Sequence, residues 1–194
     1  MKKIFFLLLL ISFYSYAEDS FIIKNDGTKA IIKSNSFRVD QTEKLIYYKL
    51  ITSDSEIKMR FNEFSSVEFG VNKFKTFKLG NSKEIKGYFV LTENNDKTLI
   101  SISIADEDED SRKVTYEFYV VDSSNQILES HTFNNLLNQK NADLRSEIYS
   151  KIKFYFSDCL ELLKRLDMYD KNNSDINNTT ILRFFNSPIY QKCI

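Results

Sequence analysis

The sequence is poor in the residues on which common catalytic and nucleotide-binding motifs depend. Its 194 residues include one histidine, one proline, four glycines and two cysteines, and no tryptophan. Four glycines leave little room for a loop that cradles phosphate groups. The scarcity of proline and glycine also argues against long disordered linkers, so the chain is expected to fold as one domain.

His131 is the only histidine, and it lies near the junction between a β-rich part and a helical part. A histidine-rich zinc site is therefore excluded, and the cysteines lack the close spacing of zinc ligands. A hydrolase triad would need His131 beside an activated serine or cysteine, yet no Gly-x-Ser-x-Gly elbow is present. We predict an exposed or capping role for His131, and no cofactor.

An excess of charge of either sign is also missing. Lys and Arg together number 27, and Asp and Glu together also number 27. Such a balance predicts no bulk attraction to nucleic acid or to an anionic membrane. The apolar run from Ile4 to Phe13 is too short for a membrane span, which needs about 20 apolar residues. We predict neither a nucleic-acid partner nor a membrane span.

The N-terminus instead has the pattern of a secretory signal. Lysines precede the apolar run, and Ser15-Tyr16-Ala17 places small residues at the positions that signal peptidase reads. We predict that residues 1–17 are a signal peptide, cleaved between Ala17 and Glu18. The residue directly after the predicted cleavage site is Glu18 and not a cysteine, which argues against a lipid anchor there. The protein is expected to be exported to the periplasm or the extracellular space, and to be soluble once the signal is removed.

Cys159 and Cys193 are the two cysteines of the chain. An even number of cysteines in an exported protein favours a disulfide, so we predict that these two pair and tie a helix to the C-terminal tail. Two buried free thiols are the alternative. In the chain-entropy model, closing a loop of this size contributes roughly 3–4 kcal/mol.

Residues 18–130 have the two-residue hydrophobic period of β-strands. Ile100, Ile102 and Ile104 alternate with serines, and the stretch 114–120 alternates in the same way. Turn signals such as Asn25-Asp26-Gly27 separate these strands and leave no room for helical crossovers. We predict an antiparallel meander of about seven to nine strands, either an open barrel or a bent sheet.

After Ser130 the hydrophobic period changes to that of a helix. Apolar residues from Leu144 to Leu166 recur on one helical face, with Asn141 as a plausible N-cap. Ser157-Asp158 is expected to break this run and start a second helix, and a short third helix is expected over 180–186. The sequence thus predicts a single α+β domain in which the helices of residues 131–194 pack on the β region.

Short motifs at both ends of the chain resemble small exported proteins of Bacteroidota. These motifs are Ile22-Ile23-Lys24-Asn25-Asp26-Gly27-Thr28, Ile46-Tyr47-Tyr48-Lys49, Tyr155-Phe156-Ser157-Asp158-Cys159 and Pro188-Ile189-Tyr190-Gln191-Lys192-Cys193. The resemblance implies a periplasmic or surface location. The proteins it points to are uncharacterised in function, so it transfers no active site.

Asp106-Glu107-Asp108-Glu109-Asp110 is the most conspicuous charged run. Its carboxylates could bind Ca²⁺, but the run lacks the glycine-centred ligand spacing of an EF-hand. We interpret it as a solvated hairpin loop between strands near 97–105 and 113–121, where its charge discourages edge-to-edge sheet pairing.

A basic cluster is the strongest candidate for ligand contact. It consists of Lys73, Lys75, Lys78, Lys83 and Lys86, interleaved with Phe74 and Phe77. Lysines among aromatics can bind single-stranded nucleic acid or an anionic glycan, and the predicted export argues against nucleic acid. A glycan or lipid headgroup is the functional alternative to a simpler interpretation, in which these lysines line the wet face of a strand pair.

Carboxylates are plentiful, but nothing in the sequence selects a catalytic pair of the glycosidase type. The candidates include Glu43, Glu56, Glu63, Glu68 and Glu117. We assign no catalytic or metal-binding residue, and we predict an exported, non-enzymatic binding or interaction protein of unknown ligand. An envelope hydrolase with a carboxylate-based site and a carrier of a small apolar ligand are the alternatives.

Overall fold

A computed structural model of the chain describes residues 20–105, 113–135, 143–170 and 179–193. The predicted signal peptide, the acidic run 106–110 and the predicted cap Asn141 lie outside these residues. The strands β1–β6 are Phe21–Lys24, Lys29–Ile31, Arg38–Asp40, Leu45–Lys49, Glu56–Arg60 and Phe64–Phe69. The strands β7–β12 are Asn72–Phe77, Lys86–Glu93, Lys97–Ala105, Val114–Asp122, Ile127–Asn134 and Gln191–Lys192, and the helices α1–α3 are Asp143–Tyr155, Leu160–Asp170 and Thr179–Asn186.

The strands of the described chain form a large sheet and a small one. The large sheet has the order β11-β10-β9-β8-β7-β6-β1-β2, with β12 added beside β8, and the small sheet has the order β3-β4-β5. All neighbouring strands are antiparallel except β12 and β8. In the part of the chain that is described, β11 and β2 are the two edges, so the large sheet stays open.

The predicted antiparallel sheet with C-terminal helices is confirmed. The predicted Asp-Gly turn joins β1 to β2, where Gly27 has a φ of 81°. The break at Ser157-Asp158 and the third helix are also present. Three features differ from a simple meander. The strands β3–β5 leave the large sheet, β1 and not β2 pairs with β6, and β12 pairs in parallel. The sheet also continues along β11 to Asn134, past residue 130.

One face of the large sheet is covered by two different layers. Cross-strand register places Phe74, Phe89, Ser101 and Phe118 in a single row on this face. At the Phe74 end, the small sheet packs against the row through Ile46 and other apolar residues. At the Phe118 end, the three helices cover it, and the buried residues there include Ile148, Phe156, Leu162 and Phe184.

The opposite face carries a smaller apolar cluster. Tyr88, Val90 and Ile100 are buried there together with Phe77 and Leu79. The connection after β7 reaches the turn between β10 and β11, since the Gly80 N–H donates to the Asn125 carbonyl at 2.9 Å. Both faces of the central strands are therefore covered, and β8 and β9 form the most deeply buried part of the sheet.

Candidate functional site

The C-terminal tail runs into the large sheet just after α3. Pro188 follows the helix, and Ile189 bridges to Asn72 at the start of β7. The Tyr190 N–H then donates to the Val71 carbonyl at 2.8 Å. Gln191 and Lys192 pair in parallel with Thr92 and Glu93 of β8, beyond the point where β7 turns away. The tail thus continues the sheet at a place where β8 would otherwise lose its neighbour.

A disulfide fixes the end of this tail, as the sequence predicted. Cys159 and Cys193 are bonded, with their Cα atoms 4.9 Å apart. Thr92 lies beside both sulfur atoms, with its hydroxyl oxygen 2.8 Å from the Cys193 Sγ. The same hydroxyl donates to the Gln191 carbonyl at 2.6 Å. Covalent and polar contacts therefore fix the tail to α2 and β8 at once.

Arg165 on α2 fixes the beginning of the tail. Its side chain is only 3% exposed. The guanidinium donates to the carbonyls of Phe184, Ser187 and Ile189, which lie at the end of α3 and at the start of the tail. The Phe184 carbonyl lies in the last turn of α3 and is one of those that a helix C-terminus leaves without a partner, and a cation there also complements the helix dipole.

An open groove of about 710 Å³ lies between the tail and the turn that joins β6 to β7. Gly70, Val71 and Asn72 of the turn and the tail residues 189–192 line it. Phe21 of β1, Glu68 of β6 and Glu161 of α2 complete the lining. The lining is therefore partly apolar and includes two carboxylates and one lysine.

Two of the five predicted lysines lie beside this groove, where they bind Glu93. The Nζ atoms of Lys73 and Lys75 are each 2.5 Å from a Glu93 carboxylate oxygen. The Tyr190 hydroxyl donates to the same carboxylate at 3.1 Å, and the Lys73 ammonium lies 4.6 Å from the centre of the Tyr190 ring. Glu93 thus joins β7, β8 and the tail in one half-buried ionic cluster.

The protonation of this cluster follows from a balance between burial and pairing. Burial alone would raise the pKa of Glu93, but the hydrogen bonds and charges of Lys73 and Lys75 outweigh it and hold that pKa below its ordinary value. Burial alone would likewise lower the pKa of Lys73, yet Glu93 holds that pKa above its ordinary value. The ionised pair is therefore the stable form near neutral pH.

We expect Glu93→Gln to lower the free energy of unfolding by about 1–2 kcal/mol at pH 7, because Lys73 loses its carboxylate partner. The two side chains are only 19% and 13% exposed, so solvent screens them weakly. A depressed carboxylate pKa stabilises the fold above the unfolded pKa, near 4.5, and this contribution is lost as the pH falls through the folded pKa. Urea denaturation of both proteins should therefore show the difference shrinking at acidic pH.

Glu56→Gln is the control for this measurement, because the Glu56–Arg38 ion pair is mostly exposed and should contribute no more than about 1 kcal/mol. A difference between wild type and Glu93→Gln that stays constant from pH 7 to acidic pH would contradict the ionic role of Glu93.

The other three predicted lysines lie elsewhere. Lys78 and Lys83 are exposed and Lys86 is half-buried. Lys83 lines a smaller pocket of about 340 Å³, together with Arg60 and the ion pair of Lys44 and Glu84. The five predicted lysines therefore do not form one cluster. Two of them pair with Glu93, and the other three occupy separate positions.

His131 and the candidate carboxylates occupy scattered positions. His131 stacks on Phe118, with the ring centres 5.9 Å apart, and its Nδ1 lies 3.9 Å from Glu147 of α1. The Glu117 carboxylate accepts a hydrogen bond from the Tyr119 hydroxyl, and the Glu63 carboxylate accepts one from the backbone N–H of Arg60. Of the carboxylates considered from sequence, Glu68 lines the groove. The groove residues Val71, Glu161 and Tyr190 were not anticipated, although the predicted disulfide indicated that the tail is fixed.

In the described ranges, no three His, Cys, Asp or Glu side chains are arranged as metal ligands would be. No helix among the described residues is long and apolar enough to cross a membrane. Comparisons of the chain with protein families, with curated proteins and with solved structures gave no match.

Proposed function

We propose that this chain is an exported, non-enzymatic binding protein and that the groove between the tail and the β6–β7 turn is its binding surface. The observation that carries the proposal is that the tail side of this groove is fixed by three separate means. These are the disulfide, the three carbonyl contacts of Arg165 and the hydrogen bond from Thr92. A surface that is ordered before binding loses less conformational entropy when a partner binds.

The lining of the groove also suits a binding role. Val71 is 58% exposed although it is apolar, and it lies beside charged and backbone polar groups. Binding surfaces commonly combine an apolar area with a few polar groups that fix orientation. The groove is open to the surface and not enclosed, which suits a partner larger than an enclosed small molecule.

Location outside the cytoplasm is part of the same proposal. The disulfide between Cys159 and Cys193 favours an oxidising compartment. The signal-like segment 1–17 and the resemblance to exported Bacteroidota proteins support the periplasm or the cell surface. The intact mass of the exported protein should then match residues 18–194, and a mature chain that still starts at Met1 would contradict export by this route.

An envelope hydrolase is the second candidate, because Glu68 and Glu161 both line the groove. Most glycoside hydrolases use a pair of carboxylates that flank the scissile bond. Turnover of a glycan, ester or peptide substrate that is abolished in Glu68→Gln or Glu161→Gln would establish this candidate in place of the binding protein.

Site-specific photo-cross-linking tests the binding surface directly. The photoreactive amino acid p-benzoylphenylalanine is placed at Val71, or at the control position Ile51, which is 60% exposed and outside the groove. We expect a discrete cross-linked product from Val71 in cells that export the protein, and none from Ile51. Equal products from both positions, or none from Val71, would overturn the proposal.

A further inference from the structure

We propose that a cleft between the two layers on the large sheet binds a small, uncharged and mainly apolar molecule that carries a hydrogen-bonding group. This cleft is separate from the groove beside the tail, and the inference does not depend on the function proposed for that groove. It gives a location to the small apolar ligand that the sequence left open as an alternative.

The cleft lies between the small sheet and the helices, on β8 and β9. It consists of two adjoining cavities of about 260 Å³ and about 140 Å³, which share Phe89 and Ser103 in their lining. Phe37 and Val39 line the larger cavity on the side of the small sheet, and Phe185 of α3 lines the smaller one. A small molecule in the cleft would therefore contact the sheet and both layers at once.

The residues of β9 explain why there is space at this position. Phe74, Phe89, Ser101 and Phe118 form a row on the covered face of the sheet, and Ser101 is the one small side chain in it. Ser103 lies on the same face of β9, because side chains of a strand alternate between two faces. Two serines thus separate the apolar cluster under the small sheet from the cluster under the helices.

The Ser101 hydroxyl is the group that carries the inference. Ser101 is only 4% exposed, and its hydroxyl makes no hydrogen bond to any of the described residues. The same residue lines the smaller cavity. A buried hydroxyl without a partner is costly, and such groups are normally satisfied. A ligand with a hydroxyl, carbonyl or amide group in the cleft would satisfy it.

Aromatic rings supply the apolar part of the lining. Phe37, Phe69 and Phe89 all line the larger cavity, and they are only partly buried although they are large and apolar. The ring centres of Phe37 and Phe69 lie 4.3 Å apart, and those of Phe69 and Phe89 lie 6.4 Å apart. The three rings therefore form one apolar wall, and an apolar ring of a ligand would remove that wall from water.

The charges of the lining favour an uncharged ligand. Arg38 is the single charged side chain among the described residues that line the two cavities. Its guanidinium lies 2.9 Å from a Glu56 carboxylate oxygen and 3.4 Å from the centre of the Tyr47 ring, so its charge is already paired. A charged ligand would thus lose its hydration in the cleft without gaining a partner of opposite charge.

Titration of the isotope-labelled full chain with 2-naphthol tests this proposal, because that probe combines apolar rings with a hydroxyl. 2-Naphthoate has the same rings and a negative charge, and methyl N-acetyl-β-glucosaminide is uncharged but mainly polar. We expect 2-naphthol to shift the amide signals of Phe89 and Ser101. It should bind about tenfold more tightly than either of the other probes, or better, because the cleft offers neither a charge partner nor enough polar groups for a sugar.

Two variants locate the bound probe. Ser101→Ala removes the hydroxyl and should weaken binding of 2-naphthol roughly 2- to 12-fold, the range for the loss of one neutral hydrogen bond. Ser66→Ala is the matched control, since Ser66 of β6 is 5% exposed and does not line the cleft, and it should leave the affinity unchanged. Ser103→Leu places an apolar side chain in the cleft from an exposed position and should abolish binding.

The amide spectrum of each variant shows whether the fold is retained. Absence of any shift at Phe89 and Ser101 with 2-naphthol would overturn the proposal, and so would tighter binding of 2-naphthoate or of the glucosaminide. Equal affinities of wild type and Ser101→Ala, or binding that survives Ser103→Leu, would also overturn it. None of these outcomes bears on the groove, which the cross-link at Val71 tests separately.

Discussion

Replacing Arg165 by methionine is expected to lower the free energy of unfolding by about 3–5 kcal/mol. The guanidinium is the donor for the carbonyls of Phe184, Ser187 and Ile189. Methionine fills much of the volume but donates nothing. The carbonyls of Phe184 and Ile189 then lose their donor in a buried or partly buried setting, while the Ser187 carbonyl keeps the Ile189 N–H, and each lost donor costs about 1–3 kcal/mol. Urea denaturation followed by circular dichroism at 222 nm would measure the change.

Two further variants separate the hydrogen bonds from charge and packing. Arg165→Lys keeps the charge but cannot match the planar fork of the guanidinium, so we expect a loss of about 1.5–3 kcal/mol. Arg183→Met changes an exposed arginine on α3 and should stay within about 0.5 kcal/mol of wild type. A stability of Arg165→Met within about 1 kcal/mol of wild type would contradict the role assigned to these contacts.

Loss of the disulfide is expected to have a similarly large effect. In the chain-entropy model, a bond between cysteines 34 positions apart contributes roughly 3–4 kcal/mol. The double variant Cys159→Ala with Cys193→Ala should therefore unfold at a markedly lower urea concentration. For a domain of this size the thermal midpoint should fall by about 6–16 °C.

Reduction is the internal control for this prediction. Dithiothreitol should bring wild type to the stability of the double variant and should not affect the variant itself. A double variant as stable as the oxidised wild type would show that the hydrogen bonds of Arg165 and Thr92 fix the tail without the disulfide.

The strands with a strict alternation could be predicted from sequence, because a hydrophobic period of two residues is typical of a β-strand. Ile100 and Ile102 alternate with serines, and they belong to β9 as expected. The small sheet could not be separated from the large one by the same means, because Ile57 and Met59 alternate identically whichever sheet they join. The assignment depends on which apolar face meets Ile22 and Phe74, and that is a property of the folded chain.

The site was less predictable than the fold. From sequence, Lys73 and Lys75 could be interpreted as lysines on the solvent-exposed face of a strand. Their sequence neighbours do not reveal that a Glu93 carboxylate oxygen lies 2.5 Å from each of their Nζ atoms. The strand β12 has only two residues, too few for any periodic signal. The groove exists because β7 turns away at Val71 while β8 continues to Glu93. Only the pairing of distant segments creates that arrangement.

The parallel pairing of β12 with β8 has a consequence for the order of folding. Gln191 and Thr92 are separated by 99 positions, whereas the antiparallel hairpins of the sheet join near neighbours. Closing so long a loop costs entropy, and a strand of two residues recovers little of it until α2 and α3 are in place. The tail should therefore dock late, after the hairpins and helices have formed, and hydrogen exchange during refolding should show protection at Cys193 after protection at Ile100.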